Sequence, residues 1–448
     1  MEKAISGMRD SNVQDVTYYA IPDEMNLESA VVDFTEVRKI WDDFITKRDQ
    51  RCRDNNMNVP TIDNSECDQF LSRSKSVVNH MVQQFQMKQA ADEDRRTSIA
   101  KTGVLDTTTM INYRWSEDIF LKNQTIADGK NHGMIMYLDW SASMDVILKD
   151  TVEQLLILTE FCSKMQIPFE VYAFTSRQIN GKYIDERSRE CHKTLEWSTE
   201  ADAAGCIPMK SHSYSLINFL SSRMNNRQYK TAVRELYNCS NQRHGSIPRE
   251  FSTGCTPLNE AIMCALQQVP AFQEATGVQI VNTVFLTDGE GHSLGASSYR
   301  YGSEKTYIHD AKTRQDYNLT SDYRDETNVY LRILKDRTDC NIIGIRLHCK
   351  KNITGLRYSY IDENDMTDCA KSYKINNFCT ASEGKTAYDE FFIVKADLDA
   401  TADIFEKIED DASFVKIKNA FKKNAKSNKT SRVIATKMID IFASTNSN

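Results

Sequence analysis

The sequence contains no apolar run of the roughly 18 residues that a membrane-spanning helix needs. Its first residues, MEKAISGMRDSNVQDV, include no apolar stretch of the kind found in secretion signals. The net charge of -7 disfavours a general affinity for nucleic acid. We therefore expect a cytoplasmic protein whose partners are neither membranes nor nucleic acids.

Cysteine pairs of the CxxC type are absent, although the 448 residues include 12 cysteines. Without a secretion signal, scattered cysteines of this kind are typical of reduced thiols in a cytosolic protein. A structural zinc site is the alternative.

Several catalytic signatures are also missing. There is no HExxH, no GxSxG around Ser141, and the nearest approach to a phosphate-binding loop, CTASEGKT, has Cys379 where a glycine is required. Glu290 and His292 leave a metal-dependent hydrolase as an alternative. The sequence therefore predicts a protein that is not catalytic by itself.

The domain organisation follows from changes in the residue pattern. With 40% hydrophobic and 27% charged residues, the chain is typical of a globular protein. A helical stripe begins at Phe34, and we predict a helical N-terminal region over residues 1–130. We further predict an α/β domain over residues 131–400, with a basic insert at about 177–252, and a basic helical C-terminal tail over residues 401–448.

Five short apolar runs within the α/β domain read as buried strands, at residues 134–138, 169–174, 280–286, 341–347 and 391–394. Helical patterns lie between several of them. Strands that are apolar on both faces and alternate with helices indicate a mainly parallel central sheet with helices on both faces. Ligands of such sheets bind beyond the carboxyl ends of the strands.

Side chains with hydroxyl or carboxylate oxygens follow two of these runs, and another lies in the loop before a predicted helix. Asp139, Ser141 and Ser143 follow the first run, Thr256 comes directly before Pro257, and Asp288 follows the third run. Each piece alone is explained by helix capping or by a turn. Together they offer two carboxylates and three hydroxyls, which are the ligands that Mg²⁺ or Mn²⁺ prefers.

This pattern resembles a known family. D-x-S-x-S, a threonine in G-x-T-P-L and T-D-G form the metal-ion-dependent adhesion site of von Willebrand factor A (vWA) domains. All five positions match, and Trp140 and Ala142 occupy positions that vary in the family. The resemblance implies a Rossmann-like vWA fold with an Mg²⁺ ion that accepts an aspartate or glutamate from a protein partner.

The flanks GVLDTTTMINYRWSEDIF and FEVYAFTSR, and the long basic insert, are similar to the A domain of the CobT subunit of cobalt chelatase, over roughly residues 95–350. The acidic linker usual in CobT is absent, as in shortened CobT-like proteins of bacteriophages. The resemblance implies a MoxR- or CobS-type AAA+ ATPase as partner. A free-standing adhesion module is the alternative, and the basic insert is either a solvated helical face or a docking surface.

Overall fold

The computed structural model describes the chain in segments, and the predicted C-terminal tail at 401–448 lies outside them. The described residues are 16–21, 27, 30–59, 61–105, 120–126, 131–177, 179, 207, 214–241, 246–289, 291–292, 294, 305–319, 323–348, 353–356, 360–376 and 378–395. Within them, no helix combines the length and apolar character needed to cross a membrane.

The described segments contain thirteen strands and seven α-helices. The strands are β1 (Val16–Ala20), β2 (Val31–Val32), β3 (Thr97–Leu105), β4 (Phe120–Ile126), β5 (His132–Asp139), β6 (Phe169–Thr175), β7 (Ser215–Ser221), β8 (Ile280–Thr287), β9 (Lys305–Asp310), β10 (Gln315–Leu319), β11 (Asn341–His348), β12 (Phe378–Thr380) and β13 (Glu390–Lys395). The helices are α1 (Phe34–Asp54), α2 (Ser65–Arg96), α3 (Leu148–Met165), α4 (Asn226–Ser240), α5 (Leu258–Thr276), α6 (Tyr323–Thr338) and α7 (Met366–Asn376).

Eight strands form the central sheet, in the order β12-β13-β11-β8-β5-β6-β7-β2. Within this sheet only the pairs β12–β13 and β6–β7 are antiparallel. The prediction of an α/β fold with a mainly parallel sheet is therefore confirmed. The five predicted apolar runs are its strands β5, β6, β8, β11 and β13.

Both faces of the sheet are covered, as the alternating burial of β5 shows. Met134, Met136 and Leu138 pack in one cluster with helices α1, α2, α3 and α4. Ile135 and Tyr137 pack in a second cluster with α5 and α6. A strand that is buried on both faces has no polar alternation, which is why β5 reads as a continuous apolar run.

The N-terminal segment is more mixed than the helical prediction for residues 1–130. It contains α1 and α2, but β2 extends the central sheet beside β7 and β1 pairs with β9. Strands β3 and β4 form an antiparallel pair. Strands β1 and β2 depend on partners distant in sequence, so local periodicity does not reveal them.

The predicted basic insert supplies a strand and a helix to the fold. Strand β7 extends the sheet next to β6, and α4 packs on the same face as α3. Two of its arginines are neutralised within the chain, since Arg223 pairs with the buried Glu170 at 2.9 Å and Arg234 pairs with Asp68 at 3.0 Å. For these two arginines the contacts are structural, within the chain.

Candidate metal centre

The candidate site lies where the strand order of the central sheet reverses. The six strands β5, β6, β7, β8, β11 and β13, numbered 1 to 6 along the chain, lie in the order 3-2-1-4-5-6 across the sheet. Strands β6 and β7, which follow β5 along the chain, therefore lie on one side of it. The fourth strand, β8, lies on the other side of β5. A crevice opens between the carboxyl ends of two such strands.

Hydroxyl and carboxylate groups meet in this crevice. Asp139 is the last residue of β5 and is fully buried, while Ser141 is 2% exposed. The Oγ atoms of Ser141 and Ser143 lie 2.9 Å apart, and Ser143 donates a hydrogen bond of 2.9 Å to Oδ1 of Asp288. Four of the five predicted oxygens thus lie at the ends of β5 and β8.

The carboxylate of Asp139 is only half satisfied. Its Oδ2 accepts a 2.7 Å hydrogen bond from Thr287, whereas its Oδ1 is buried and makes no hydrogen bond with the described residues. Burial raises the pKa of Asp139 to about 7, an effect that Asp288 reinforces and that Thr287 and Ser141 oppose. A buried carboxylate with a bare oxygen beside a second carboxylate is costly unless a cation compensates it.

Thr256 reaches the same crevice from the loop before α5. The pair Thr256-Pro257 is typical of a helix cap followed by a proline at the first helical position, but the helix begins at Leu258, Pro257 occupies the cap position and no side chain caps it. The Thr256 hydroxyl makes no hydrogen bond with the described residues, and a Cβ atom built on Gly289 would lie 3.9 Å from its Oγ1. The hydroxyl therefore lies beside the loop that carries Asp288.

Gly254 fixes the position of the Thr256 loop. Its nitrogen donates to the carbonyl of Trp140 at 3.0 Å, and its carbonyl accepts from Ala142 at 2.8 Å. A Cβ atom at this position would lie 2.8 Å from Thr175 Oγ1 and 2.7 Å from Ser176 Oγ. Only glycine fits here, and the sequence offers no local signal of that close approach.

Trp140 occupies a variable position of the motif, yet its side chain has a structural role. It is fully buried and donates from its indole nitrogen to the carbonyl of Phe251 at 2.8 Å. Its ring packs on Phe219 of β7 with ring centres 5.2 Å apart. Trp140 thereby links the carboxyl end of β5 to the loop that leads to Thr256.

The loop after Asp288 is fastened to helices α5 and α6. Asn259 donates to the carbonyl of His292 at 2.7 Å and accepts from Thr327 at 2.7 Å. Glu326 accepts from the backbone nitrogen of Leu294 at 2.9 Å. The His292 side chain is exposed, and Glu290 lies outside the described residues, so no hydrolytic pair is formed by the described part of this loop.

The combined donor set could hold a hard divalent cation such as Mg²⁺ or Mn²⁺. The bare Oδ1 of Asp139 is the orphaned group that such an ion would satisfy. The described residues contain no cluster of three or more histidine, cysteine, aspartate or glutamate side chains suited to a metal. The candidate site differs from such clusters, because it combines two carboxylates with three hydroxyl groups.

Comparison with known proteins leaves the family open. No family model matches the chain, and no curated protein matches it. Among solved structures, the pilus adhesin SpaC from Lactobacillus rhamnosus GG in its open conformation is 13% identical with a TM-score of 0.28, covering 67% of this chain and 30% of the adhesin. Proximal thread matrix protein 1 from the mussel byssus is 11% identical with a TM-score of 0.20, covering 66% of this chain and 71% of that protein.

These scores lie below the level at which a shared fold is inferred. The chain spans less than a third of the adhesin, and a second form of SpaC gives a TM-score of 0.27 over 50% of this chain and 26% of the adhesin. The site must therefore be interpreted from its own geometry.

Proposed function

We propose that this chain is a vWA-domain protein that binds a protein partner through an Mg²⁺ ion and is not catalytic by itself. The observation that carries the proposal is the buried, half-satisfied carboxylate of Asp139, beside Asp288 and the serine hydroxyls. The sequence resemblance to the adhesion-site motif at Asp139, Ser141, Ser143, Thr256 and Asp288 supports the same reading.

The chemistry of this donor set explains why it would bind rather than catalyse. Two carboxylates leave a divalent ion without excess negative charge around it, so the ion remains electrophilic. A coordination position held by water is then open to an aspartate or glutamate of a partner. In a partly dehydrated crevice this attraction exceeds its strength in bulk water.

The partner class rests on the resemblance to CobT. We propose that the chain couples a MoxR- or CobS-type AAA+ ATPase to a target protein, in the cytoplasm of a bacterial host if the chain is phage-encoded. The described residues supply no phosphate loop of their own: residues 379–386 begin within β12 and continue into the connection to β13, where Lys385 pairs with Asp362 at 2.8 Å. A neighbouring gene for an AAA+ ATPase would support this assignment.

The metal is tested first, by titrating the protein with Mn²⁺ and following the loss of the free-ion signal by electron paramagnetic resonance. We expect one site, competed by Mg²⁺ and lost in Asp139→Ala, with Asp145→Ala as the matched control in the same turn. Mn²⁺ binding that is unchanged by Asp139→Ala would overturn the proposed site.

The partner is tested by binding of the cognate ATPase in Mg²⁺ and in EDTA, with folding followed by circular dichroism. We expect weaker binding in EDTA with an intact fold. Turnover of peptide, ester or phosphate substrates by the purified chain, abolished by Asp139→Ala, would instead favour the hydrolase.

A further inference from the structure

A pocket opens beside the candidate metal centre and shares residues with it. The pocket is open to solvent. Thr287 and Gly289 line it, and the same Thr287 donates to Oδ2 of Asp139. A ligand group bound to the ion and a group bound in this pocket would therefore be close neighbours.

The floor of the pocket is aromatic and backed by a guanidinium group. Tyr360 and Phe391 stack with ring centres 4.8 Å apart, and Tyr388 lies 5.1 Å from Phe391. Arg346 lies over the Tyr360 ring at 4.9 Å and donates to its hydroxyl at 2.8 Å. The Nε atom of Arg346 is buried and makes no hydrogen bond with the described residues. The guanidinium group thus lies behind the aromatic floor rather than in the lining of the pocket.

The wall of the pocket is rich in hydrogen-bond donors. Lys385 pairs with Asp362 at 2.8 Å, which uses one of its three N–H groups. Asn328 uses its carbonyl oxygen to accept from the backbone nitrogen of Ala387 at 2.9 Å, which leaves its amide N–H groups available. The Thr386 hydroxyl also lines the pocket. These donors favour a ligand that accepts hydrogen bonds, and a negatively charged acceptor makes the strongest ones.

We propose that this pocket binds a second carboxylate of the partner, two residues from the acidic residue that coordinates the ion. The inference rests on the proposed function, because the first carboxylate anchors the segment. In an extended peptide alternate side chains share one side, about 7 Å apart. An aromatic side chain would stack on the floor but would offer no acceptor to the remaining N–H groups of Lys385 or to the amide of Asn328.

The ligand is thus an acidic peptide of the form Glu-x-Glu or Asp-x-Asp. The probes are two fluorescein-labelled peptides, Gly-Glu-Gly-Glu-Gly and Gly-Glu-Gly-Gln-Gly. Their binding to the full chain with Mg²⁺ is measured by fluorescence anisotropy. The protein variants are Lys385→Gln and, as a matched control, Lys371→Gln, another lysine in an ion pair, which lies on α7.

The two-glutamate peptide should bind the native protein about two- to five-fold more tightly than the one-glutamate peptide, as a partly exposed charge pair allows. Lys385→Gln should abolish that advantage and leave the one-glutamate peptide unaffected, while Lys371→Gln should change neither. EDTA and Asp139→Ala should weaken both peptides, because both depend on the ion.

The outcomes separate the two proposals. Equal loss of affinity for both peptides in EDTA, with no advantage for the second glutamate or none that depends on Lys385, would overturn the pocket and leave the metal site standing. Binding indifferent to EDTA and to Asp139→Ala would overturn the proposed function. Competition by inorganic phosphate as strong as by glutarate would overturn the assignment to a carboxylate. Failure of both peptides to bind in Mg²⁺ would overturn the proposed function, on which the pocket assignment rests.

Discussion

Thr287 donates its hydroxyl hydrogen to Oδ2 of Asp139 over 2.7 Å, which joins the ends of the two strands on either side of the topological switch point. The same hydroxyl accepts from the backbone nitrogen of Gly289 at 3.1 Å. One threonine therefore orients the buried carboxylate and shapes the loop that carries Asp288. The hydrogen bond leaves the other carboxylate oxygen, Oδ1, available to a cation.

Replacing Thr287 with valine should weaken the metal site without disturbing the fold. The substitution keeps the shape of the side chain but removes the hydrogen bond that orients Asp139. Groups that orient metal ligands contribute about 10- to 100-fold to metal affinity. We expect a loss of Mn²⁺ affinity in this range, measured by titration.

The matched control is Thr283→Val on the same strand. The buried hydroxyl of Thr283 has no oxygen or nitrogen partner among the described residues, and only the thiol of Cys340 lies beside it. This variant should retain Mn²⁺ affinity. Equal affinity of the Thr287 variant and the native protein would contradict the orienting role.

Asp139→Asn should stabilise the metal-free protein. Burial raises the pKa of Asp139 from 3.8 to about 7, so the folded state holds a proton that the unfolded chain releases between these values. The contribution of this group to stability in EDTA is therefore lost as the pH rises through that window, by an upper limit of about 4 kcal/mol. We expect Asp139→Asn to raise the free energy of unfolding at pH 7.5 in EDTA by roughly 1–3 kcal/mol.

Added Mg²⁺ should reverse this order. The ion stabilises the native protein by binding its ionised carboxylate, whereas the asparagine variant should show no shift in denaturation midpoint with Mg²⁺. The measurement is urea denaturation at pH 5.5 and 7.5, and Asp145→Asn serves as the exposed control. A variant that is less stable than the native protein in EDTA would show that burial of Asp139 is already compensated without an ion.

Gly254→Ala should displace the Thr256 loop. The added methyl group would lie 2.7 Å from Ser176 Oγ and 2.8 Å from Thr175 Oγ1, distances that force the loop to move. Gly289→Ala is the control in the same site, because its nearest neighbours lie 3.8 Å and 3.9 Å away on Thr256. We expect weaker Mn²⁺ binding in the first variant and a smaller effect in the second, whereas the reverse order would contradict the geometry.

The pair Asp310–Arg337 should govern acid stability outside the site. Both side chains are buried, and Arg337 donates to both carboxylate oxygens, at 2.9 Å and 2.5 Å. Burial opposes ionisation of Asp310, but the hydrogen bonds and charge of Arg337 outweigh it and lower its pKa. The stability from this pair is therefore present above the unfolded pKa of about 3.9 and is lost as the pH falls through the folded pKa.

Arg337→Met should cost about 3–5 kcal/mol at neutral pH, since a buried carboxylate loses its partner. The exposed Arg332 of the same helix provides the control, Arg332→Met. Denaturant unfolding at pH 7 and pH 3.5 checks both points, and the difference between the two variants should shrink at the lower pH. A difference that grew on acidification would contradict the lowered pKa.

The strands that the sequence predicted correctly are those buried on both faces. The runs at 134–138 and 280–286 became β5 and β8 because a doubly covered strand needs apolar residues at every position. The edge strand β2 and its neighbour β7 were not recognised, since β2 has two residues and β7 lies inside a basic insert. Pairing with a distant strand, rather than local pattern, makes these segments strands.

The candidate site shows the same division. The sequence indicated the five oxygen-bearing residues through their spacing, and four of them lie together at two strand ends, with Thr256 beside the loop of Asp288. Thr256 does not cap α5, which begins one residue later than the Thr-Pro pair suggested. The roles of Thr287 and Trp140 depend on contacts with residues more than a hundred positions away, and that of Gly254 on the close approach of residues more than seventy positions away. No local pattern in the sequence records such contacts.

The amino-acid sequence by itself determined which segments are buried strands and which chemical groups end them, because burial and strand geometry impose local patterns. Only the tertiary structure decided which of these groups meet. The parallel pairing of β5 with β8 brings Asp139 next to Thr287 and leads Asp288 to Ser143. Burial in that crevice then removes water from Oδ1 of Asp139, and this loss of hydration turns an ordinary aspartate into a candidate cation ligand.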